Sequence, residues 1–245
     1  MRIRIFGSPD QLAHALARSI AGRVAANAGL VLGLPTGDTP VPLYRELVAL
    51  YRARRIDFSQ TTTFNLDEFD GLGAGDSCSY RAFMQRHLFD HVNVPSRQIQ
   101  FLDGRAADRA AECERYERAI QRRGGIDLQV LGLGANGHVG FNEPAVALTA
   151  ATHRTRLTPA TRRANARWFG NQVSEVPRHA LSMGIATILH SRHIVLLATG
   201  ARKAGCVARM INGPITTRLP ASLLHVHPAV EVWIDRAAAV NLSRG

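Results

Sequence analysis

Lysine is all but absent from this chain: of the 30 lysines and arginines in 245 residues, Lys203 alone is a lysine. Arginine thus supplies the general surface charge, and a solitary compact ammonium invites a specific role, the plain alternative being chance retention of one lysine. Cysteine is scarce as well. Cys78, Cys113 and Cys206 are odd in number and widely spaced, which excludes a disulfide framework and a zinc pattern and points to free thiols in a reducing, cytoplasmic setting. Long apolar runs are missing: those around Leu30–Leu34 and Ile194–Ala198 fall far short of the roughly 20 residues that span a bilayer. Met1–Asp10 carries positive charge with no apolar segment behind it, so neither a membrane anchor nor a secretory leader is expected.

Tracts of like charge are also lacking, although the net charge is +11. A surplus of that size raises the question of a nucleic-acid partner. The arginines are scattered and often sit between acids, as in Glu112–Arg118, with no tract of five or six like charges and no repeated interleaving of aromatic residues. That is the pattern of a solvated surface, and no nucleic-acid or membrane partner is expected.

What is present is a core-forming mixture, 46% hydrophobic and 20% charged, of a length that one α/β domain over residues 1–245 accommodates. Strand and helix signals alternate throughout. This predicts a doubly wound, mainly parallel sheet flanked by helices, Rossmann-like in plan. Ile3–Phe6 reads as a first or edge strand. Ser8 and Pro9 open a helix in which Leu12, Leu16, Ile20 and Val24 recur every fourth residue before Gly29. Leu30–Leu34, Thr61–Leu66, Ile99–Leu102, Ile126–Leu133, His193–Thr199 and Val230–Ile234 read as further strands. Helices are expected from Pro40, over Tyr80–His91, over Ala106–Arg123 and from Arg202 to Ile211. Between Thr152 and His179 the apolar pattern weakens, which marks a mobile lid.

In such sheets ligands bind beyond the carboxyl ends of the strands, and four polar clusters fall there. Thr36-Gly37-Asp38-Thr39 lies between a strand and a helix, where backbone N–H groups and the helix dipole favour a phosphate; a turn with a threonine cap would look the same. Asp38 would repel an anion unless its side chain points away. Asp67-Glu68 follow a strand, either as a solvated pair or with one serving as a base near a substrate carbon. Asn136 and Glu143 flank His138, whose tautomer such neighbours would set, as a general base requires, although a merely hydrogen-bonded histidine fits too. Lys203 forms the fourth cluster. Gly132–Gly137 fits G-x-G-x-x-G, but Pro144 stops any following helix, so a dinucleotide site is discounted. His225 and His227 lack a third partner for a metal and read as structural.

Taken together, Leu32–Pro40, Phe64–Phe69 with Ser79-Tyr80, Gly132–Pro144 and Gly200–Ala204 resemble, in this order, the motifs of the glucosamine-6-phosphate deaminases. The resemblance runs over nearly the whole chain, and the Asn-Glu-Pro continuation after Gly-His sets it apart from the related 6-phosphogluconolactonases. It implies an aldose–ketose isomerase acting on an amino-sugar 6-phosphate, with no cofactor and no metal, as a monomer or homo-oligomer. By the same resemblance Asp67 would move the proton between C2 and C1, and His138 would open the sugar ring, oriented by Glu143 and Asn136. Thr36, Gly37, Asp38 and Thr39, with Arg167 and Lys203, would hold the phosphate. Leu157–His179 would be the lid that carries Arg167. Two departures stand out: Asn136 replaces the aspartate of some members, and Asp38 stands where glycine is usual. Val146, Ala147, His153 and Thr155 occupy positions where allosteric members carry serines and basic residues, so activation by N-acetylglucosamine 6-phosphate is not expected. The competing readings are a galactosamine-6-phosphate deaminase or a lactonase on the same fold, and a non-catalytic sugar-phosphate sensor.

Overall fold

The structure, a computed structural model, describes residues 1–242. In chain order the first half comprises β1 (Arg2–Phe6), α1 (Pro9–Ala26), β2 (Val31–Leu34), α2 (Val41–Arg52), β3 (Thr62–Asn65), β4 (Asp67–Phe69), α3 (Tyr80–His87), β5 (Ile99–Gln100) and α4 (Arg109–Arg122). The second half comprises β6 (Leu128–Gly132), β7 (His153–Arg156), α5 (Pro159–Asn165), β8 (His179–Ser182), α6 (Ile185–Leu189), β9 (Ile194–Ala198), α7 (Ala204–Asn212) and β10 (Val230–Asp235).

Seven strands form one sheet in the order β1-β10-β9-β6-β2-β3-β5, every adjacent pair parallel. Parallel strands covered on both faces are apolar throughout, and β2, β9 and nearly all of β6 are buried. From β2 the chain winds outward through β3 to β5, crosses back over α4 to β6 on the other side of β2, and continues through β9 to β10. The winding therefore reverses between β2 and β6, the place where such sheets open a crevice at their carboxyl ends.

Local chemistry accounts for the main elements. Ser8 accepts from the Gln11 N–H to start α1, with Pro9 in its first turn, and Leu12, Leu16, Ile20 and Val24 all point inward. The predicted helix over Tyr80–His91 stops at His87 and continues as a short 3-10 turn. In the middle of the sheet, Gly33 is required by a neighbour: a Cβ there would lie 2.1 Å from the Gln129 side chain of β6. Among the described residues no helix is long and apolar enough to cross a membrane.

A second sheet was not legible in the sequence. β4, β8 and β7 pair antiparallel, and β4 begins at Asp67, so the pair Asp67-Glu68 belongs to a strand and not to a solvated loop. Thr152–His179 is likewise more ordered than its polar pattern suggests. It holds β7, α5 and a 3-10 turn at Ala166–Phe169, and Leu157, Ala166, Phe169 and Val176 are buried in the same apolar cluster as α1 and α2. These anchors do not follow one helical period, which hides them from a periodicity search. Phe69 joins this segment to the rest: its ring lies 4.7 Å from Tyr80, 5.6 Å from Phe141 and 5.3 Å from Phe169. Replacing such a hub by alanine costs about 3–5 kcal/mol.

Candidate active site

Three neighbouring strand ends build the crevice. At the end of β2 the Pro35 carbonyl accepts from the buried Tyr44 hydroxyl of α2, and Asn65 donates to the Leu34 carbonyl at 3.1 Å, which ties the end of β3 to that of β2. The loop Thr36–Thr39 follows, with Gly37 in the left-handed region at φ 95°. The helix behind it has Pro40 at its cap position and no side-chain cap, so Thr39 does not cap α2 as a purely structural turn would require. Asp38 is turned toward the 157–179 segment, where its carboxylate meets the guanidinium of Arg167. Arg167 and the Thr36–Thr39 loop are thereby brought together across the crevice mouth.

Asp67 stands at the start of β4, opposite Ser182 of β8. Asp67 is 6% exposed, and among the described residues no protein donor reaches its carboxylate. Burial, and then the adjacent Glu68, raise its pKa well above the usual carboxylate range. Glu68 points elsewhere and does structural work: it accepts from the backbone N–H groups of Phe69, Tyr80 and Arg81 at 2.9 Å. It thus occupies donors that the first turn of α3 would otherwise leave unpaired. Burial against those donors leaves it at about 7.

The loop after β6 does not open a helix. It closes on itself, with Gly134 N–H bonded to the His138 carbonyl at 2.9 Å and Gly137 N–H to the Gly134 carbonyl at 3.0 Å, and no helix follows before β7, as expected from Pro144. The imidazole of His138 lies flat over Gly134, where any Cβ would come within 2.4 Å of three ring atoms. His138 Nδ1 faces Glu143 Oε2 at 3.6 Å. Asn136 donates to that same Oε2 at 2.7 Å and accepts from the His138 backbone N–H at 3.2 Å. Of the two residues expected to orient the ring, Glu143 faces it directly and Asn136 reaches it through Glu143 and the His138 backbone. Glu143 is buried, which opposes ionisation, yet His138, Thr161 and Asn136 outweigh that and lower its pKa to about 2.

Loop and strand converge. The Phe141 N–H donates to Ser182 Oγ at 3.1 Å, and a Cβ on Gly140 would stand 3.6 Å from Asp67 Oδ2. The unpaired carboxylate of β4 and the imidazole loop of β6 thus share one wall. Lys203 ends a short turn after β9; burial lowers its pKa, with Cys206 opposing and Arg202 adding to the shift. No ion pair involves it among the described residues. The strand order places it two strands from the Thr36–Thr39 loop, roughly 10 Å in strand spacings, with β6 between, so these two sets flank His138 rather than touch.

Thr158, Thr161 and Tyr80 were not singled out as site residues by sequence. Thr158 and Thr161 bond to Glu143, and the Tyr80 hydroxyl reaches Asn165 of α5 at 3.3 Å. Thr158-Pro159 is a helix-start signal, but nothing in it announces the partner 15 residues upstream. The histidines set aside as structural behave so: His225 bonds the Met210 carbonyl at 2.8 Å and His227 the Ser191 carbonyl at 2.7 Å. Two surface clefts, of about 700 and 610 Å³, lie away from the strand ends, one beside Tyr51 and Arg54 and one beside Cys113 and His153. Neither joins a partnerless buried acid to an imidazole.

Residues 7–233 match the family of glucosamine-6-phosphate isomerases and 6-phosphogluconolactonases. A glucosamine-6-phosphate deaminase of Clostridium botulinum (strain Kyoto / Type A2) is 44% identical over 243 residues, covering 99% of both chains. One from Halothermothrix orenii is 45% identical over 239 residues, covering 98% of this chain and 99% of its own. The solved structure of a monomeric glucosamine-6-phosphate deaminase superimposes with a TM-score of 0.95 at 41% identity, over 98% of this chain and all of the other.

Proposed function

This chain belongs to the glucosamine-6-phosphate isomerase/6-phosphogluconolactonase family, and we propose that it converts glucosamine 6-phosphate and water to fructose 6-phosphate and ammonia. The observation that carries this reading is the partnerless Asp67 carboxylate set beside the loop of His138 and Glu143. A sensor would have no use for a desolvated base. The Asn142-Glu143-Pro144 continuation favours the deaminase over the lactonase.

His138 takes the proton of the sugar's C1 hydroxyl and returns one to the ring oxygen, which opens the pyranose to the aldehyde. Glu143 holds the imidazole charge during that exchange. Asp67 then removes the C2 proton to give an enolamine and delivers a proton to C1, leaving a ketimine at C2. Water adds to this imine and ammonia departs. An apolar, donor-free carboxylate suits the middle step, because a raised pKa brings a base closer to the pKa of the carbon acid. At the far end Arg167 arrives with the flap, Lys203 supplies a point charge, and Thr36, Gly37 and Thr39 offer backbone and hydroxyl donors to the phosphate. The flap over residues 157–179 closes on the bound sugar and excludes water from the enolamine. A monomer acting in the cytoplasm fits the monomeric relative and the free thiols of Cys78, Cys113 and Cys206.

The test is direct. Purified protein treated with chelator is expected to release ammonia from glucosamine 6-phosphate in step with fructose 6-phosphate. No ammonia from any amino-sugar 6-phosphate would overturn the assignment.

A further inference from the structure

Glu143 is held from two sides. Oε2 faces Asn136 and the His138 ring, and Oε1 faces two hydroxyls at the start of α5 in the flap. Thr161, 5% exposed, donates its hydroxyl to Oε1. The Thr158 hydroxyl lies 3.1 Å from Thr161 Oγ1 and 3.4 Å from Glu143 Oε1, and accepts from the Thr161 N–H at 3.2 Å. Each hydroxyl has one proton and two lone pairs. With the Thr161 proton committed to the carboxylate, its oxygen accepts from Thr158, giving a chain that runs Thr158 to Thr161 to Glu143. Valine would fill the same buried space, so packing alone does not call for threonine here.

We propose that Thr161, backed by Thr158, is a positioning residue: it couples the flap to ring opening by fixing the Glu143 carboxylate against His138. A carboxylate bonded at one oxygen only can swing about its last torsion, which is broad. Bonded at both, it keeps Oε2 facing Nδ1. Among the described residues His138 is the charged partner of Glu143, and its remaining bonds come from Asn136, Thr158 and Thr161, so Thr161, backed by Thr158, is the flap's handle on it. The proposal rests on the reading of His138 as the ring-opening group.

The experiment is a double-mutant cycle on glucosamine 6-phosphate turnover with Thr161→Val, Thr161→Ser, Glu143→Gln and the Thr161→Val/Glu143→Gln pair. Loss of a hydrogen bond to a charged acceptor predicts a fall in kcat of about 10-fold or more for Thr161→Val, with KM changed less than about 2-fold. Thr161→Ser restores kcat, and Thr161→Val adds less than about 2-fold once Glu143 is already Gln. Wild-type kcat in Thr161→Val, an equal loss in Thr161→Ser, or full additivity with Glu143→Gln would each overturn the coupling. His138→Asn separates the two layers: wild-type turnover in that variant would remove the underlying reading, whatever Thr161 does.

Discussion

Asp67 and Glu143 are nearly equally buried, 6% and 8% exposed, and they lie on either side of Gly140, yet their surroundings are opposite. Around Asp67 the chain provides a three-residue strand and the aromatic cluster centred on Phe69, and no donor among the described residues reaches the carboxyl. Around Glu143 it provides an amide, two hydroxyls and an imidazole. Burial pushes the first up; the donors bring the second down to about 2. Depth alone therefore does not decide the state of a buried acid: around Glu143 the imidazole and the donors together outweigh burial, whereas the three N–H donors of the deeper Glu68 leave it at about 7. Two carboxyls whose environments drive them apart are the physical basis for assigning one as the base and the other as a fixed anion.

Asp67→Asn, which removes the donor-free acid, is expected to have the largest effect. Loss of a general base predicts a fall of roughly 10³-fold or more in turnover, and wash-in of solvent deuterium at C2, followed by NMR, should cease. The same substitution should stabilise the fold at neutral pH. A carboxyl whose pKa is raised on folding contributes its full stability below the unfolded value and loses it as pH rises through the folded value. An amide escapes that loss, and a gain of about 1 kcal/mol would raise the melting temperature by roughly 2–4 °C in a chain of this size. A faster, unstable Asn variant would show that Asp67 is structural.

Glu143→Gln probes the other side. Turnover is expected to drop about 10²-fold as the imidazole loses its anion. The sign of the pH effect is reversed relative to Asp67: a depressed pKa gives stability that is present above the unfolded value near 4.5 and lost as pH falls toward about 2. Acid unfolding followed by circular dichroism should therefore be steeper in the wild type than in Glu143→Gln. Lys203→Ala should weaken binding of phosphorylated sugar about 10- to 100-fold while leaving unphosphorylated sugar unchanged; equal losses for both would make Lys203 a structural residue. Asp38→Asn carries the smallest effect. Its ion pair with Arg167 is half-exposed on both sides, and such pairs are worth about 0.2–1 kcal/mol. Freeing the guanidinium for phosphate should lower KM about 2- to 5-fold, whereas a rise in KM would show that Asp38 helps to bind.

The parts of the site that were legible in the sequence are those made locally. Leu12, Leu16, Ile20 and Val24 announce α1 by spacing, and the buried runs of β2, β6 and β9 announce the sheet. The polar residues just beyond them, Thr36–Thr39, Asn136–Glu143 and Lys203, could be placed at strand ends because the fold class puts them there. What stayed hidden is made by distant pairing. β4 is three residues long and exists only because β8, more than a hundred residues on, pairs with it, so Asp67 looked like the start of a loop. Asn136 and Glu143 could both be named as neighbours of the imidazole, but not that the amide of Asn136 bonds the carboxylate and leaves the ring to Glu143. Thr161 carried a helix-cap neighbour and no hint of Glu143.

¹³C NMR titration of the carboxyl carbons, assigned with Asp67→Asn and Glu143→Gln, measures whether the imidazole and donors around Glu143, and their lack around Asp67, split these two acids. The Asp67 signal is expected to titrate above the range of an ordinary aspartate, while the Glu143 signal stays ionised down to about pH 2. Two carboxyls titrating together near 4, or in the reverse order, would contradict it.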